Sequence, residues 1–498
     1  MTHLYKILAS VIFMLHLTSV VAAPSDTAKV PEPSPASPGS TPAASSAPEN
    51  YGNGPRTINI DNPSFRKLIV AIPDFALEIP TDNELLSFQK QAKEDMPFLL
   101  QFTGFFKTIA QDAFTGKGEQ EKLDELAFWR MISVDTVVKG KFHKVGKFAM
   151  LELTGIDVYR GRVLDKKRYE IRSEEQLYSA LKRYIDYLLE SYTGKPGIFQ
   201  SKIVFAGKKT KSSAREIFIC DPDGHNVEQL TKSSAIHISP SWDPTGTKVV
   251  FTSYESGKPN IYQQDIRTKK TALIPGLASG NKGTMNSGGK FSPNAKLIVY
   301  TQITEGNAER SGSSEIYLVP PGGGIRRPFI VGHGIDVDPI FSPDGKWLAY
   351  ASGRYGNPHL FRAELVWNSD FTDVKVKGDA RLTYAGWWNA MPTWSPDSQK
   401  IAFAGFDKDI NRFDIFLMNY DGSKLERLTL QSGDNKSPSF SPNGQMLVFH
   451  SSRVGTASDR GRNQLFMMSA DGSDQRVIST GLYSSEDPKW GPYLRKDD

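Results

Sequence analysis

The fold is decided by a stretch that the chain repeats, PIFSPDGKWLAYAS at residues 339–352. It contains an apolar run that ends in an aromatic residue, a Ser-Pro-Asp-Gly turn and a second, alternating apolar run. Pro fixes φ at such a turn, and Asp and Gly tolerate the tight bend. The stretch therefore predicts two antiparallel strands joined by a hairpin.

Variants of this stretch recur through the second half of the chain: PSWDPTGTKVVFTS from Pro240, GKFSPNAKLIVYTQ from Gly289, PTWSPDSQKIAFAG from Pro392, PSFSPNGQMLVFHS from Pro438 and a truncated PKWGP from Pro488. Their aromatic anchors are about 50 residues apart: Trp242, Phe291, Phe341, Trp394, Phe440 and Trp490. This period, with several short strands in each unit, is typical of a β-propeller.

The last unit is split between the two ends of the repeat region. Only its first strand remains at the carboxyl terminus, and its other three strands match KIVFAG from Lys202, EIFICDPDG from Glu216 and VEQLT from Val227. With five complete units, this predicts a six-bladed ring closed by a blade that both ends share. Short, uniform turns occupy one face, and longer, variable loops occupy the other, where binding sites usually lie.

A smaller α/β region precedes the repeats. It combines strand-like runs with amphipathic helical stretches at Asn83–Ala110 and Glu174–Tyr192, the latter ending before Gly194. The predicted fold class is an α/β N-terminal domain followed by an all-β six-bladed propeller with shared-strand closure of the last blade. The predicted boundaries are 1–23 for a signal peptide, 24–50 for a disordered Pro/Ala/Ser tether, 51–198 for the α/β domain and 199–498 for the propeller.

The first residues predict export. Lys6 precedes an apolar stretch, Ile7–Val21, and small residues follow at Ala22 and Ala23. The lone cysteine, Cys220, excludes an intramolecular disulfide and lies in an apolar run, where we expect a buried thiol. The net charge of +5 is spread without an arginine-rich tract, which argues against nucleic acid. The predicted location is the periplasm.

The sequence does not favour catalysis. It contains no Gly-x-Ser-x-Gly pentapeptide of the kind that serine peptidases fused to propellers use, and the α/β region contains no clustered His or Cys for a metal. We therefore expect no enzymatic activity and no cofactor. A propeller that binds a glycan or another small ligand is the main alternative, although it would favour a regular polar-aromatic pocket in every blade.

Two further stretches carry a family resemblance, LTGIDVYRGRVLDKKRYE at residues 153–170 and YTGKPGIFQSKIVFAG at residues 192–207. With the signal, the α/β domain and the six repeats in this order, the chain resembles the TolB family, the periplasmic component of the Tol–Pal system. The resemblance implies a non-enzymatic adaptor that supports outer-membrane integrity and constriction in cell division. It also implies two partners, the peptidoglycan-associated lipoprotein Pal on the propeller and inner-membrane Tol proteins such as TolA on the N-terminal segment.

The resemblance also implies site residues. The N-terminal Tol-binding segment corresponds to Arg56, Thr57, Ile58, Asn59, Ile60 and Asp61, which here follow the long tether instead of a nearby mature terminus. The Pal-facing loops just before the repeated stretch correspond to His237, Met285, Asn286, His333, Asp336, Asp338, Trp388, Asn389, Asp434, Lys436 and Glu486. One of Trp387 and Trp388 is expected to cap a blade core instead of contacting a partner.

Overall fold

The computed structural model describes residues 66–110, 113, 126–277, 284–306, 311–332, 334–430, 433–453 and 462–494. The predicted signal peptide, the tether and the Tol-binding segment at residues 56–61 lie outside the described residues, as does His333. The expectations about them, and the domain boundaries, stay predictions. The described residues all belong to one compact unit.

The first part of the described chain is an α/β layer. Its strands are β1 (Leu68–Ala71), β2 (Ala76–Leu77), β3 (Phe106–Thr108), β4 (Thr136–Val145), β5 (Phe148–Asp157) and β6 (Arg162–Ile171). They form a mixed sheet in the order β3-β1-β4-β5-β6, with β2 pairing in parallel with β4. The helices are α1 (Asn83–Phe102), α2 (Leu126–Met131) and α3 (Glu174–Thr193).

Local sequence sets the ends of the long helices. The Asp82 side chain accepts hydrogen bonds from the first amides of α1, and Gly194, with φ of 69°, ends α3 as predicted. The prediction that the first helical stretch runs to Ala110 is wrong. Helix α1 stops at Phe102 because Gly104 adopts φ of 78°, and the chain then enters β3.

The second part is the six-bladed propeller. Blade one is β10 (His237–Trp242), β11 (Lys248–Ser253), β12 (Asn260–Asp265) and β13 (Thr271–Leu273). Blade two is β14 (Thr284–Phe291), β15 (Ile298–Thr304), β16 (Ser313–Val319) and β17 (Arg327–Ile330). Blade three is β18 (Asp336–Phe341), β19 (Trp347–Ser352), β20 (His359–Trp367) and β21 (Val374–Arg381).

The remaining blades follow the same plan. Blade four is β22 (Trp388–Trp394), β23 (Lys400–Asp407), β24 (Arg412–Asn419) and β25 (Glu426–Arg427). Blade five is β26 (Asn435–Phe440), β27 (Met446–Ser451), β28 (Gln464–Ser469) and β29 (Arg476–Ile478). Blade six joins the two ends as predicted: β30 (Ser484–Trp490) pairs with β7 (Ile203–Lys208), followed by β8 (Glu216–Cys220) and β9 (Glu228–Gln229).

The aromatic anchors pack between blades. Trp394, on the first strand of blade four, joins the apolar cluster of blade three, which includes Leu360 and Ala349. Trp490 packs in the same way against blade five, beside Met446 and Val448. The repeated aromatic residue is thus buried against the preceding blade, which explains why each unit carries one.

Every first strand bulges at the residue before the repeated proline or, in blade two, before Gly289. This residue, which we call the bulge residue, has positive φ in all six blades. In five blades it is not glycine, and its φ lies between 50° and 56°: Ser239, Asp338, Met391, Ser437 and Asp487. The strand pairing shifts register across the same position. In the five blades with the repeated proline, the bulge accommodates a residue that has no N–H for the ladder.

The propeller has two unlike faces. The turn face carries the hairpins between first and second strands and between third and fourth strands. The inter-blade face carries the loops between second and third strands and the connections from one blade to the next. On the turn face, Asn443 Nδ2 donates to the Pro196 carbonyl at 3.1 Å, and Arg476 donates to the Gln101 carbonyl at 3.1 Å. The α/β layer therefore docks on the turn face.

Candidate functional site

An ion-pair cluster fixes the α/β layer to blade six on the turn face. Lys182 of α3 is almost buried, and its ammonium lies 2.9 Å from an Asp221 carboxylate oxygen and 2.6 Å from an Asp223 oxygen. Burial opposes ionisation of Asp223, but His225 and Lys182 outweigh it and lower its pKa to about 2. A cleft of about 550 Å³ borders this cluster. Because these groups are paired with one another, the cluster serves as a structural contact.

The predicted partner-binding residues do not lie where the sequence placed them. The expectation was a set of loop residues, but all except Asp434 and the undescribed His333 lie on the first strands of the blades: His237, Met285, Asn286, Asp336, Asp338, Trp388, Asn389, Lys436 and Glu486. The physical reason is that the first strands begin earlier than the repeated stretch indicates. Their partner-binding role stays a prediction.

Several of these residues clamp neighbouring blades together. Asn286 Nδ2 donates to Asn260 Oδ1 at 3.0 Å, and Asn389 Nδ2 lies 3.1 Å from His359 Nδ1. In each case the partner is the first residue of the third strand in the preceding blade. Asn286 and Asn389 are only 2% and 3% exposed. A buried amide with such partners stabilises the ring, since an unpaired one would be costly.

His237 and Glu486 are buried in similar clamps around the closing blade. His237 Nε2 lies 2.8 Å from the Ser233 hydroxyl and 3.4 Å from a Glu216 carboxylate oxygen. Burial lowers the pKa of His237. Glu486 accepts a hydrogen bond from Arg215 at 3.1 Å. Both side chains are therefore engaged inside the protein.

The other predicted residues are also mostly engaged. Asp336 is fully buried, and Lys436 is nearly so, with its ammonium 4.5 Å from the centre of the Phe413 ring. Asp434 accepts from the Phe413 amide at 2.9 Å, and Asp338 accepts from the Met391 amide at 3.1 Å. Met285 is half-buried on β14. Most of the polar side chains that suggested a contact surface instead form interactions within the ring.

The neighbouring tryptophans divide their roles as expected, but the exposed one is Trp387. Trp388 packs against the apolar cluster between blades three and four. Trp387 is 41% exposed, and the Lys408 ammonium lies 3.1 Å from its ring centre. Trp388, which the sequence placed in a Pal-facing loop, lies instead at the start of the first strand of blade four and is half-buried; its partner-binding role stays a prediction.

Large exposed aromatic side chains mark the inter-blade face beside blades three and four. Tyr355 is 71% exposed and Tyr384 is 74% exposed. The Arg381 guanidinium lies 5.8 Å from the Tyr355 ring centre and 4.8 Å from that of Tyr384. Together with Trp387, we call the three rings the aromatic rim. Cations beside them strengthen such a surface through contacts with the ring faces.

Further apolar side chains, each more than 40% exposed, lie near the aromatic rim on this face at Val331, Ile410 and Leu430, while Ile236 is exposed on the opposite side of the ring, between blades six and one. Sequence reasoning missed the rim as a group, apart from Trp387, which it weighed. The available signal was the aromatic content of two loops, RYGN at residues 354–357 and TYAGWW at residues 383–388. Exposed apolar groups that cluster on one face are typical of a protein interaction surface.

A family model described as "TolB beta propeller domain" matches residues 189–494. The chain is 31% identical to the "Tol-Pal system protein TolB" of Bordetella pertussis over 442 residues, which cover 88% of this chain and 91% of that one. The chain belongs to the TolB family. A relative of the same name from Desulfosudis oleivorans is 29% identical over 274 residues, or 54% of this chain and 59% of that one. The predicted family and the propeller are thus confirmed.

A solved structure agrees with the fold of the TolB family. The crystal structure of TolB from Acinetobacter baumannii has a TM-score of 0.68 and 24% identity, covering 86% of this chain and 97% of that one. Among the residues that the structure describes, no helix combines the length and apolar character needed to cross a membrane. The same residues contain no group of three or more His, Cys, Asp or Glu side chains arranged for a metal ion.

Proposed function

We propose that this TolB-family protein is a periplasmic, non-enzymatic adaptor of the Tol–Pal system. In this proposal the propeller binds the peptidoglycan-associated lipoprotein Pal, and the segment at residues 56–61 binds inner-membrane Tol proteins such as TolA. Joining the two sides of the periplasm in this way supports outer-membrane integrity and constriction during cell division.

The observation that carries the proposal is the aromatic rim on the inter-blade face. Docking of the α/β layer occupies part of the turn face through Asn443 and Arg476, whereas the rim lies on the other side of the ring. Aromatic side chains with neighbouring Arg residues are enriched at the energetic centres of protein interfaces. The rim therefore supports a protein partner on this face.

The glycan-binding alternative has less support. Among the described residues, the aromatic rim is confined to loops beside blades three and four. A ligand that used the symmetry of the ring would favour an equivalent pocket in each blade. An uneven surface instead suits one protein partner that approaches in one orientation.

A pull-down from Gram-negative envelope extracts tests the proposal. Tagged mature protein should retain the peptidoglycan-associated lipoprotein, identified by mass spectrometry, at moderate salt. A variant with Tyr355, Tyr384 and Trp387 changed to Ser should retain much less of it. Recovery of glycans without the lipoprotein would contradict the proposal and favour the alternative.

A further inference from the structure

The wall of the central channel carries two lysines at a position where the other blades have short or apolar side chains. Lys290 and Lys489 directly precede the anchor aromatic residues of blades two and six. The equivalent residues in the other blades are Ser241, Ile340, Thr393 and Ser439. Only these two blades therefore bring a cation to this level of the ring.

Both lysines have the same two carboxylates within electrostatic range. Each interacts electrostatically with Asp338 of blade three and with Asp487 of blade six. Blades three and six are opposite each other in the six-bladed ring. A lysine side chain that interacts with both carboxylates must therefore lie between them, in the central channel. Burial lowers the pKa of Lys290, and burial together with Lys290 lowers the pKa of Lys489 to about 8. The two ammonium groups therefore share a confined space.

One side of the channel wall is internally satisfied. Asp338 accepts from the Met391 amide at 3.1 Å, and the Ser437 hydroxyl donates to Asp487 at 2.8 Å. The Ser437 hydroxyl also lies 3.4 Å from the Met391 sulfur. The bulge residues of blades three to six are thus joined to one another.

The other side of the channel wall, formed by blades six, one and two, has polar side chains without hydrogen-bond partners in the protein. In the described part of the chain, the side chains of Lys290, Lys489, Ser239 and Ser241 make no hydrogen bond and no ion pair. The two serines belong to blade one, between the two blades that carry the lysines. Four side-chain donor groups without a direct hydrogen-bond partner therefore lie on three consecutive first strands, and the two lysines have only the longer-range interactions with Asp338 and Asp487.

There is also room beside these donors. Gly288 is the bulge residue of blade two, where every other blade has a side chain. A Cβ atom added at Gly288 would meet no atom within 4 Å. The missing side chain therefore leaves open space next to Lys290, two residues along the same strand.

We propose that this side of the channel binds an oxyanion, held by the ammonium groups of Lys290 and Lys489 and the hydroxyls of Ser239 and Ser241. An oxyanion offers several acceptors, and charge-assisted hydrogen bonds from lysine are among the stronger ones available to a protein. It also adds to the partial compensation that Asp338 and Asp487 give two neighbouring ammonium groups, since burial lowers the pKa of both lysines despite these carboxylates. The oxyanion is either free inorganic phosphate or a carboxylate supplied by a bound polypeptide.

Thermal unfolding of the full mature protein tests the proposal. Sodium phosphate and sodium acetate are added separately at constant ionic strength, with sodium chloride as the reference. Binding to the folded state alone raises the melting temperature as the anion concentration rises. Phosphate should stabilise the wild-type protein; acetate acting equally well would indicate a carboxylate, and phosphate acting alone would indicate the free ion.

Charge-removing variants give the matched comparison. Lys290→Met and Lys489→Met should each weaken phosphate binding by about tenfold or more, as expected for loss of one charge-assisted contact. Lys400→Met, which changes an exposed lysine on β23, should bind phosphate like the wild type. Without phosphate, the two channel variants should unfold at the wild-type temperature or above it, because each loses a poorly solvated cation.

Three results would overturn the proposal. They are the absence of stabilisation by either anion, equal stabilisation of the wild type and the Lys290→Met/Lys489→Met double variant, and stabilisation by a divalent cation instead of an anion. The last result would show that the channel binds a cation through the Asp338 and Asp487 carboxylates.

Discussion

The indole Nε1 of Trp242 donates a hydrogen bond to the carbonyl oxygen of Lys489 at 3.1 Å, across 247 residues of the chain. This contact joins blade one to the strand that completes blade six. Trp490, the last residue of that strand, donates from its indole nitrogen to the hydroxyl of Ser201, just before β7, at 2.8 Å. The closing strand β30 is therefore held by Trp242 of blade one and by Ser201 as well as by its pairing with β7.

Removing the closing strand should open the ring. A chain that ends at Ser485 loses most of β30 and leaves the edge of β7 unpaired, so we expect severe loss of stability or failure to fold. Trp490→Ala keeps the strand and should lower the free energy of unfolding by about 3–5 kcal/mol. Urea unfolding measures this effect. Trp387→Ala, at an exposed ring, is the control, and equal losses in the two tryptophan variants would contradict the closure account.

The buried amide clamps should stabilise the ring. Asn389→Ala removes the contact with His359 and a hydrogen bond to the Ala385 carbonyl at 2.8 Å. We expect the free energy of unfolding to fall by about 1–3 kcal/mol, since buried polar groups lose their partner. Gln399→Ala, at an exposed amide of the same blade, should change it by no more than about 0.5 kcal/mol. A neutral Asn389→Ala variant would show that the residue is not a clamp.

Asp186 should make stability fall with rising pH. It is 1% exposed, accepts from the Phe199 amide at 3.1 Å, and has its pKa raised by burial to about 7. Because the folded pKa lies above the unfolded value of 3.8, the folded state holds the proton more tightly. Stability contributed by the protonated form is present below about pH 4 and is lost as pH rises through about 7.

Asp186→Asn isolates this effect. The Asn oxygen can still accept from the Phe199 amide, but the side chain no longer ionises. Between pH 5 and pH 8, the wild type should lose up to about 2–3 kcal/mol more stability than the variant. Urea unfolding at the two pH values measures the difference. If the free energy of unfolding changed with pH equally in both proteins, Asp186 would be ionised in the folded state over the whole range from pH 5 to pH 8.

Cys220 should be inert in the folded protein. Its side chain is fully buried, as predicted, and burial raises the pKa of its thiol. A thiol-specific reagent should modify it quickly in denaturant and at least about a hundredfold more slowly in buffer, since reaction then needs an opening of blade six. Rapid labelling of the native protein would show that this blade opens readily.

The repeats made the architecture predictable. An anchor aromatic residue and a Pro-containing turn recur in each unit, and the split unit revealed the ring closure through KIVFAG at residues 202–207. The α/β layer was less certain because its helix ends depend on single residues. Gly104 ended α1 earlier than the apolar spacing indicated, since its positive φ is not visible in the pattern.

The candidate site was predictable as a face but not as individual side chains. Asn286 and Asn389 look like surface residues in the sequence, because their partners Asn260 and His359 are distant in the chain and come close only in the folded ring. Burial of polar side chains between blades therefore separated the predicted residues from the exposed ones. Tyr384, in contrast, lies in a loop without a repeated position, so no pattern distinguished it.

The central claim is that a partner docks on the inter-blade face. Calorimetric titration of the soluble domain of the peptidoglycan-associated lipoprotein tests it most directly. The rim variant has Tyr355, Tyr384 and Trp387 changed to Ser, and the matched control has three exposed apolar residues of the turn face, Ile325, Phe371 and Leu425, changed to Ser. Melting curves check that both variants are folded.

We predict that the wild type and the control bind with equal affinity, and that the rim variant binds at least tenfold more weakly. Replacing an aromatic residue at the centre of an interface often costs about 2 kcal/mol or more of binding free energy. Loss of binding in the control with normal binding in the rim variant would move the site to the turn face. No binding by the wild-type protein would contradict the adaptor account itself.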